Sequence, residues 1–309
     1  MRHFLRDDDL TPREQTAVLE MTATLRADRF ALRPLDGPRS VAVIFDKPTL
    51  RTQVSFVTAI VELGGYPMVV DGNLAKIGVR ESISDVANVL GRQMTAIVWR
   101  THAQSRIEEM AAVAGVPVIN ALTDSYHPCQ VLADLATVAQ HRGGVGALAG
   151  QTLAYVGDGS NNMAHSYLLG GATAGMHVRI GCPGIFVPDP RIVADATARA
   201  AQTGGSVTVL DDRDQTLAGA DVVATDTWVS MGREDEAAQR EAPFVPFRLD
   251  AGGMALAAPD AIVLHCLPAY RGKEVTAEVL DGPQSVIWDE AENRLHAQKA
   301  ILAFLLDNV

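Results

Sequence analysis

Residues 49–52, Thr-Leu-Arg-Thr, place two hydroxyls and a guanidinium directly after a short apolar run. Val41 to Phe45 reads as a buried strand, and Asp46-Lys47-Pro48-Thr49 interrupts it. Thr49 stands where a side chain caps a following helix. The apolar residues Val54, Phe56, Val57, Ile60 and Val61 then recur at helical spacing. A strand, a tight turn and a helix N-terminus present unpaired N–H groups and the positive end of a dipole, which suits an anion. Arg51, inside the first turn, can offset the anion's charge and grip it with two hydrogen bonds. The chemistry suggested is phosphate binding at 49–52. Read alone, the stretch equally fits an ordinary capped turn with a solvated arginine.

Other polar residues fall in the same kind of place. Arg100 ends the apolar run Ala96–Trp99. His127 precedes Pro128 at a helix start, with Gln130 three residues on, so both can face one pocket. Asn162 lies in the turn Gly157–Met163, Asp226 follows the run Ala220–Thr225, and Cys266 follows Ala261–Leu264. Ligands bind at the C-terminal edge of strands in open α/β sheets. This concentration of polar groups is what a cleft between two α/β domains requires.

The elements that must position them alternate regularly. A helix begins at Thr11-Pro12 with Glu14 completing a capping box, and carries Val18, Leu19, Met21 and Leu25 inward. Helix 50–63 ends at Leu63-Gly64-Gly65, a left-handed cap. Strands are expected at 67–70, 96–99 and 116–119, helices at 82–92 and 104–113, and a polar loop over 71–82. Residues 120–135 pass from loop to helix. Arg142–Gly146 reads as a hinge. Strands 152–156, 177–182, 206–210, 220–225, 261–264 and 286–288 follow, with helices to about 174, near 189–202 and over 290–306. Residues 233–242 are charged and read as mobile or as a solvated helix. The βαβ rhythm predicts an α/β fold with two doubly wound parallel-sheet domains, 1–140 and 141–309, and a final helix, about 290–309, closing on the first. The turn Gly157-Asp158-Gly159 lacks the third glycine of a dinucleotide loop, and no acid ends the strand at 182 to hold a ribose, which counts against a dehydrogenase.

Bulk properties narrow the class. The 309 residues are 48% hydrophobic, enough for full cores. The formal net charge of -11 argues against nucleic acid. No run of 18 apolar residues is present and MRHFLRDDDLTP has no apolar signal region, so neither a membrane span nor secretion is expected. Cys129, Cys182 and Cys266 have no metal or redox spacing and suit a reducing cytoplasm.

The motifs FDKPTLRT (45–52), WRT (99–101), HPCQ (127–130), GDGSNNMAHS (157–166), DTWVSMG (226–232), HCLP (265–268) and EAENRLHAQKA (290–300) occur in one order. On them the chain resembles the aspartate/ornithine carbamoyltransferase family over essentially its whole length. DTWVSMG and HCLP favour ornithine over aspartate as acceptor, and the chain looks most like the anabolic members of that branch. The resemblance implies transfer of a carbamoyl group from carbamoyl phosphate to the δ-amine of ornithine, giving citrulline and phosphate for arginine biosynthesis. It places carbamoyl phosphate on Thr49, Leu50, Arg51 and Thr52, with Arg100 and His127 at the carbonyl oxygen. Gln130, Arg294 and the backbone of Cys266 and Leu267 attend the carbamoyl group. Ornithine meets Asn162, Asp226, Ser230 and Met231, with Cys266 and Asp226 near the attacking amine. The catalytic set implied is Arg100, His127, Asp226, Cys266 and Arg294. No metal or organic cofactor is implied. A homotrimer, or a multiple of trimers, is expected. Loop 71–82 would carry Lys76 into a neighbour's site, and segment 226–242 would close over the second substrate.

The match has departures. The family's usual Ser-Thr-Arg-Thr-Arg is Thr49-Leu50-Arg51-Thr52-Gln53 here, and Lys76 stands where glutamine is frequent. Lys76, from the next subunit, would restore the cation lost at Gln53; unrelated drift of the two residues at the site's rim is the other reading. A specialised paralogue with another amine acceptor or an inhibitor-resistant phosphate site, and a non-catalytic carbamoyl-phosphate-binding subunit, are the alternatives.

Overall fold

The computed structural model describes residues 1–229 and 241–307. The chain forms two compact units, Met1–Ala136 with Ala291–Val309, and Thr137–Glu290.

The first unit is built on a four-stranded parallel sheet in the order β2-β1-β3-β4. Its strands are β1 (Ser40–Phe45), β2 (Tyr66–Asp71), β3 (Ala96–Arg100) and β4 (Val118–Leu122). β1 and β3 are buried nearly throughout, as a strand covered on both faces demands. α1 (Pro12–Ala27) starts with the expected capping box, Thr11 Oγ1 accepting from the Glu14 N–H. α2 (Arg51–Glu62) ends at Gly64, whose φ of +90° tolerates no other residue easily. α3 (Gly72–Ala75) interrupts the segment expected as loop, because Lys76 N–H closes a helical turn on Gly72 O at 2.8 Å. α4 (Ile83–Gln93) and α5 (Gln104–Val113) complete the crossovers, and α6 (Pro128–Arg142) follows β4. Ala42, Ile44, Ile97, Trp99, Ile107 and Met110 form one cluster of its core. β4 lies two to three residues later than expected; Val118 N–H is taken by His3 Nδ1, and Phe4 bridges Ile119 beside it.

The second unit carries a five-stranded parallel sheet in the order β7-β6-β5-β8-β9. These are β5 (Thr152–Val156), β6 (His177–Gly181), β7 (Ser206–Leu210), β8 (Val222–Thr225) and β9 (Ile262–Leu264). α7 (Asn162–Thr173) is buried along nearly its whole length, α8 (Pro190–Thr203) packs against it, and α9 (Arg213–Leu217) follows β7. Ala154, Val156, Val223, Leu249, Val263 and Ile287 share a core.

The expected strand at 286–288 is not formed. Ser285 makes a single bridge to Val263, and the C-terminal helix, Ile287–Asp307, begins there instead. From Ala291 onward that helix belongs to the first unit. Lys299, fully buried, donates to Glu62 Oε2 at 2.8 Å and to Arg29 O.

Candidate active site

At the first unit's sheet edge, β1 and β3 end in register, Phe45 opposite Arg100. α2 begins at Arg51, but Thr49 does not cap it: the N-cap position is Leu50, with no side-chain cap bond. Leu50 thus offers no side-chain oxygen to the leading N–H groups, and a helix N-terminus favours an anion. Leu50 is 74% exposed, Arg51 is half-buried and Thr52 is buried.

Thr52 is the meeting point of distant residues. Arg294 Nη2 donates to its Oγ1 at 2.7 Å, and Arg100 Nη1 lies 3.5 Å from the same oxygen. Arg294 Nη1 donates to Gln130 Oε1 at 2.7 Å, and Gln130 Nε2 to Asp134 Oδ1 at 2.7 Å. The chain of bonds orients Gln130 and Arg294 together. His127 is buried at the start of α6, its carbonyl receiving the Gln130 N–H at 3.0 Å. Burial holds its imidazole well below the ordinary histidine range, and Arg294, Arg100 and Arg51 push the same way. A neutral imidazole among three guanidinium groups donates a hydrogen bond without adding a fourth charge. This group of residues suits a dianion with a polarised carbonyl.

The second unit gathers a different chemistry. Asp226 follows β8 and is buried. Its Oδ1 accepts from Thr227 N–H at 2.8 Å and from the Cys266 thiol at 3.2 Å. Asn161 Nδ2 lies 3.5 Å from its Oδ2 and donates to Tyr155 OH at 2.9 Å. Burial raises the Asp226 carboxyl above the usual carboxylate value, and it drives the Tyr155 phenol upward as well. His265 Nδ1 accepts the Leu267 N–H at 3.0 Å, which leaves the proton on Nε2, facing Glu274 Oε1 at 3.3 Å. His265 N–H donates to Glu290 Oε2 at 2.7 Å. These bonds hold Leu267 at φ +58°, a left-handed conformation rare outside glycine. Donor atoms of Asp226, His265 and Cys266 lie within 4.8 Å of one another, a set that can hold a metal. Both imidazole nitrogens are engaged, however, so the histidine serves here as a backbone brace.

Residues 2–140 match the carbamoyl-P binding domain of the aspartate/ornithine carbamoyltransferases, and residues 149–305 match their Asp/Orn binding domain. The chain belongs to the aspartate/ornithine carbamoyltransferase family. It is 60% identical over 305 residues to an ornithine carbamoyltransferase of Clavibacter sepedonicus, covering 99% of this chain and 98% of that one. The structure resembles the ornithine carbamoyltransferase from Pyrococcus furiosus with a TM-score of 0.94 and 40% identity, over 100% of this chain and 98% of that one. It resembles the anabolic ornithine carbamoyltransferase from Campylobacter jejuni with a TM-score of 0.93 and 36% identity, over 100% and 99% of the two chains.

Among the residues predicted for this family's site, Thr52, Arg100, Gln130 and Arg294 are brought into one bonded group, with His127 amid its charges. Cys266 joins Asp226 in the second unit, and Leu267 belongs to that unit too. Asn162 is the first residue of α7, and a neighbour of Asp226 is Asn161, the N-cap, whose Oδ1 accepts from Ala164 N–H at 2.9 Å. Lys76 is exposed on the first unit. Ser230 and Met231 lie outside the described residues. Sequence reasoning missed Asn161, Tyr155, His265 and Glu274. For Asn161 a signal existed, since asparagine before an apolar helix is a preferred N-cap; for the buried pair His265–Glu274 none did.

Proposed function

We propose that this chain transfers the carbamoyl group of carbamoyl phosphate to the δ-amine of L-ornithine, giving L-citrulline and phosphate in arginine biosynthesis. The observation that carries the reading is the neutral His127 held among Arg51, Arg100 and Arg294 beside a helix N-terminus in one unit, with the Asp226–Cys266 pair in the other.

Carbamoyl phosphate's phosphate rests on Thr49, Leu50, Arg51 and Thr52, with Lys76 adding charge. Its carbonyl oxygen faces Arg100, His127 and Thr52, and its amide end meets Gln130, Arg294 and the Cys266–Leu267 backbone. Ornithine's amino-acid end meets Asn162, Asp226, Ser230 and Met231. The δ-amine titrates near about 10.4 when unperturbed and must lose a proton before attack. Asp226, with Cys266 beside it, is the acceptor group at hand. The amine nitrogen forms a bond to the carbonyl carbon, and negative charge grows on the carbonyl oxygen. The donors there stabilise that charge more than they stabilise the bound substrate. The tetrahedral species then collapses, the carbon–oxygen bond to phosphate breaks, and the departing phosphate takes a proton from the nitrogen. Catalysis rests on positioning and electrostatics, with no nucleophilic triad required.

The working assembly we infer is a homotrimer or a multiple of it, in the cytoplasm. Exposed apolar residues on and beside β2 support association: Val54, Val61, Tyr66, Met68 and Val69. Three free thiols suit a reducing compartment.

Colorimetric assay of ureido product from carbamoyl phosphate and ornithine, putrescine, lysine, N-acetylornithine or aspartate tests the reading. Rapid product with ornithine alone is expected. Product only with another amine assigns a different acceptor, and no product with any amine rejects catalysis.

A further inference from the structure

Asp46, the residue after β1, takes part in none of the roles above, yet its carboxylate accepts from three side chains. Oδ2 accepts from Thr101 Oγ1 at 2.6 Å, Trp99 Nε1 at 3.1 Å and Arg106 Nη2 at 3.4 Å. Oδ1 occupies the place where a β-carbon on residue 72 would stand, 1.9 Å from it, so only glycine fits there. Arg106 Nη2 also donates to Ile77 O at 2.7 Å, its Nε donates to Thr101 Oγ1 at 2.9 Å, and its guanidinium lies over the Trp99 ring at 5.2 Å. Asp46 thus packs against the Gly72 end of the segment Gly72–Ile77, and Arg106, bound to Asp46, holds its Ile77 end.

Within that segment Lys76 has φ +50°. Among the described residues only Lys76 and Leu267 are non-glycine residues in the left-handed region. Such conformations persist only where the surroundings over-determine them, and they cluster at functional positions. Leu267 is braced by His265. Lys76 lies between the Asp46 contact at Gly72 and the Arg106 bond at Ile77, and its own N–H closes on Gly72 O at 2.8 Å.

We propose that Asp46 and Arg106 are positioning residues for carbamoyl phosphate binding, holding Gly72–Ile77 so that the Lys76 ammonium is preset for the phosphate. This rests on the reading above that Lys76 serves carbamoyl phosphate. It holds whichever subunit's site receives the lysine, since the clamp lies wholly within one unit.

The test is a double-mutant cycle on the full-length protein with wild type, D46N, K76Q and D46N/K76Q. Kinetics with varied carbamoyl phosphate are joined to amide hydrogen exchange at residues 76, 79 and 80, whose N–H groups donate to Gly72 O or Lys76 O of the segment. D46N is expected to raise KM for carbamoyl phosphate about ten-fold, with kcat within about two-fold, and to speed exchange at those amides. In the K76Q background D46N should add less than about two-fold, because the effect passes through Lys76. G72A, which displaces the segment without removing a charge, should reproduce D46N and serves where D46N folds poorly. Faster exchange with unchanged KM, or multiplicative effects in the cycle, would overturn the positioning role. If K76Q itself leaves KM unchanged, the reading beneath the proposal falls and takes the proposal with it. If K76Q raises KM while D46N and G72A do not, only the clamp's role is lost.

Discussion

Arg294 reaches across 242 residues of chain to Thr52, its Nη2 donating to the hydroxyl at 2.7 Å. The other Nη of the same fork is spent on Gln130. A planar guanidinium makes both bonds at once and stays charged; an ammonium is a point donor and makes one of them well.

R294K should therefore lower kcat/KM for carbamoyl phosphate by about 10²-fold, the cost of misplacing Thr52 and Gln130 when one of the two bonds that position them is lost. Initial rates of citrulline formation check this. A loss below three-fold would mean that Arg294 is scaffolding only.

His127 bears on stability against pH. Its folded value is depressed, so the unfolded chain binds a proton below about pH 6.5 that the native state refuses. The contribution is fully present above that pH and is lost as pH falls, at about 1.4 kcal/mol per unit until the native value is reached. H127Q should flatten the slope of unfolding free energy below about pH 6.5 by one proton relative to wild type. Urea midpoints between pH 5 and 7 measure it. His296 is depressed in the same sense by burial, so the slope should be reduced and not abolished.

Asp226 is shifted the other way by burial. It pairs with an ammonium only when ionised, so kcat/KM for ornithine should fall as pH drops, with an apparent pKa above the ordinary carboxylate value of about 3.9. D226N should remove that limb and lower kcat/KM at least about 10²-fold. A pH–rate profile of both proteins decides it.

Glu62 and Lys299 form a buried ion pair that ties α2 to the C-terminal helix. Burial alone would raise the Glu62 carboxyl, but hydrogen bonds from Arg29 and Lys299 outweigh it and hold the group below its usual value. The stability it supplies is present above the unfolded carboxylate value, about 4.3, and is lost as pH falls through the lower folded value. E62Q leaves the Lys299 charge buried without its counter-charge and should cost about 3–5 kcal/mol. The double replacement E62Q/K299M should cost less than E62Q alone, read from chemical denaturation.

Much of this protein was legible in the chain. The capping box at Thr11–Glu14, the βαβ alternation, and the motifs around Arg51, Arg100, His127, Asp226 and Cys266 depend on neighbours a few residues away, where period and capping rules operate. Strand 152–156, helix 104–113 and strand 206–210 stand where their local pattern puts them. Family membership also followed from the motifs and their order.

Only the tertiary structure decided the rest. Val286–Trp288 had the pattern of a strand, yet only a bridge between Ser285 and Val263 forms and a helix starts at Ile287. Thr49 had the chemistry of a cap, but the turn after Lys47 brings Leu50 to that position. The Thr52–Arg294, Asp226–Cys266 and Asp46–Arg106 pairs join residues from 40 to 242 positions apart. Such contacts are set by which strand ends share a sheet edge and how far buried charge lies from water. Local sequence carries neither quantity; the folded chain does.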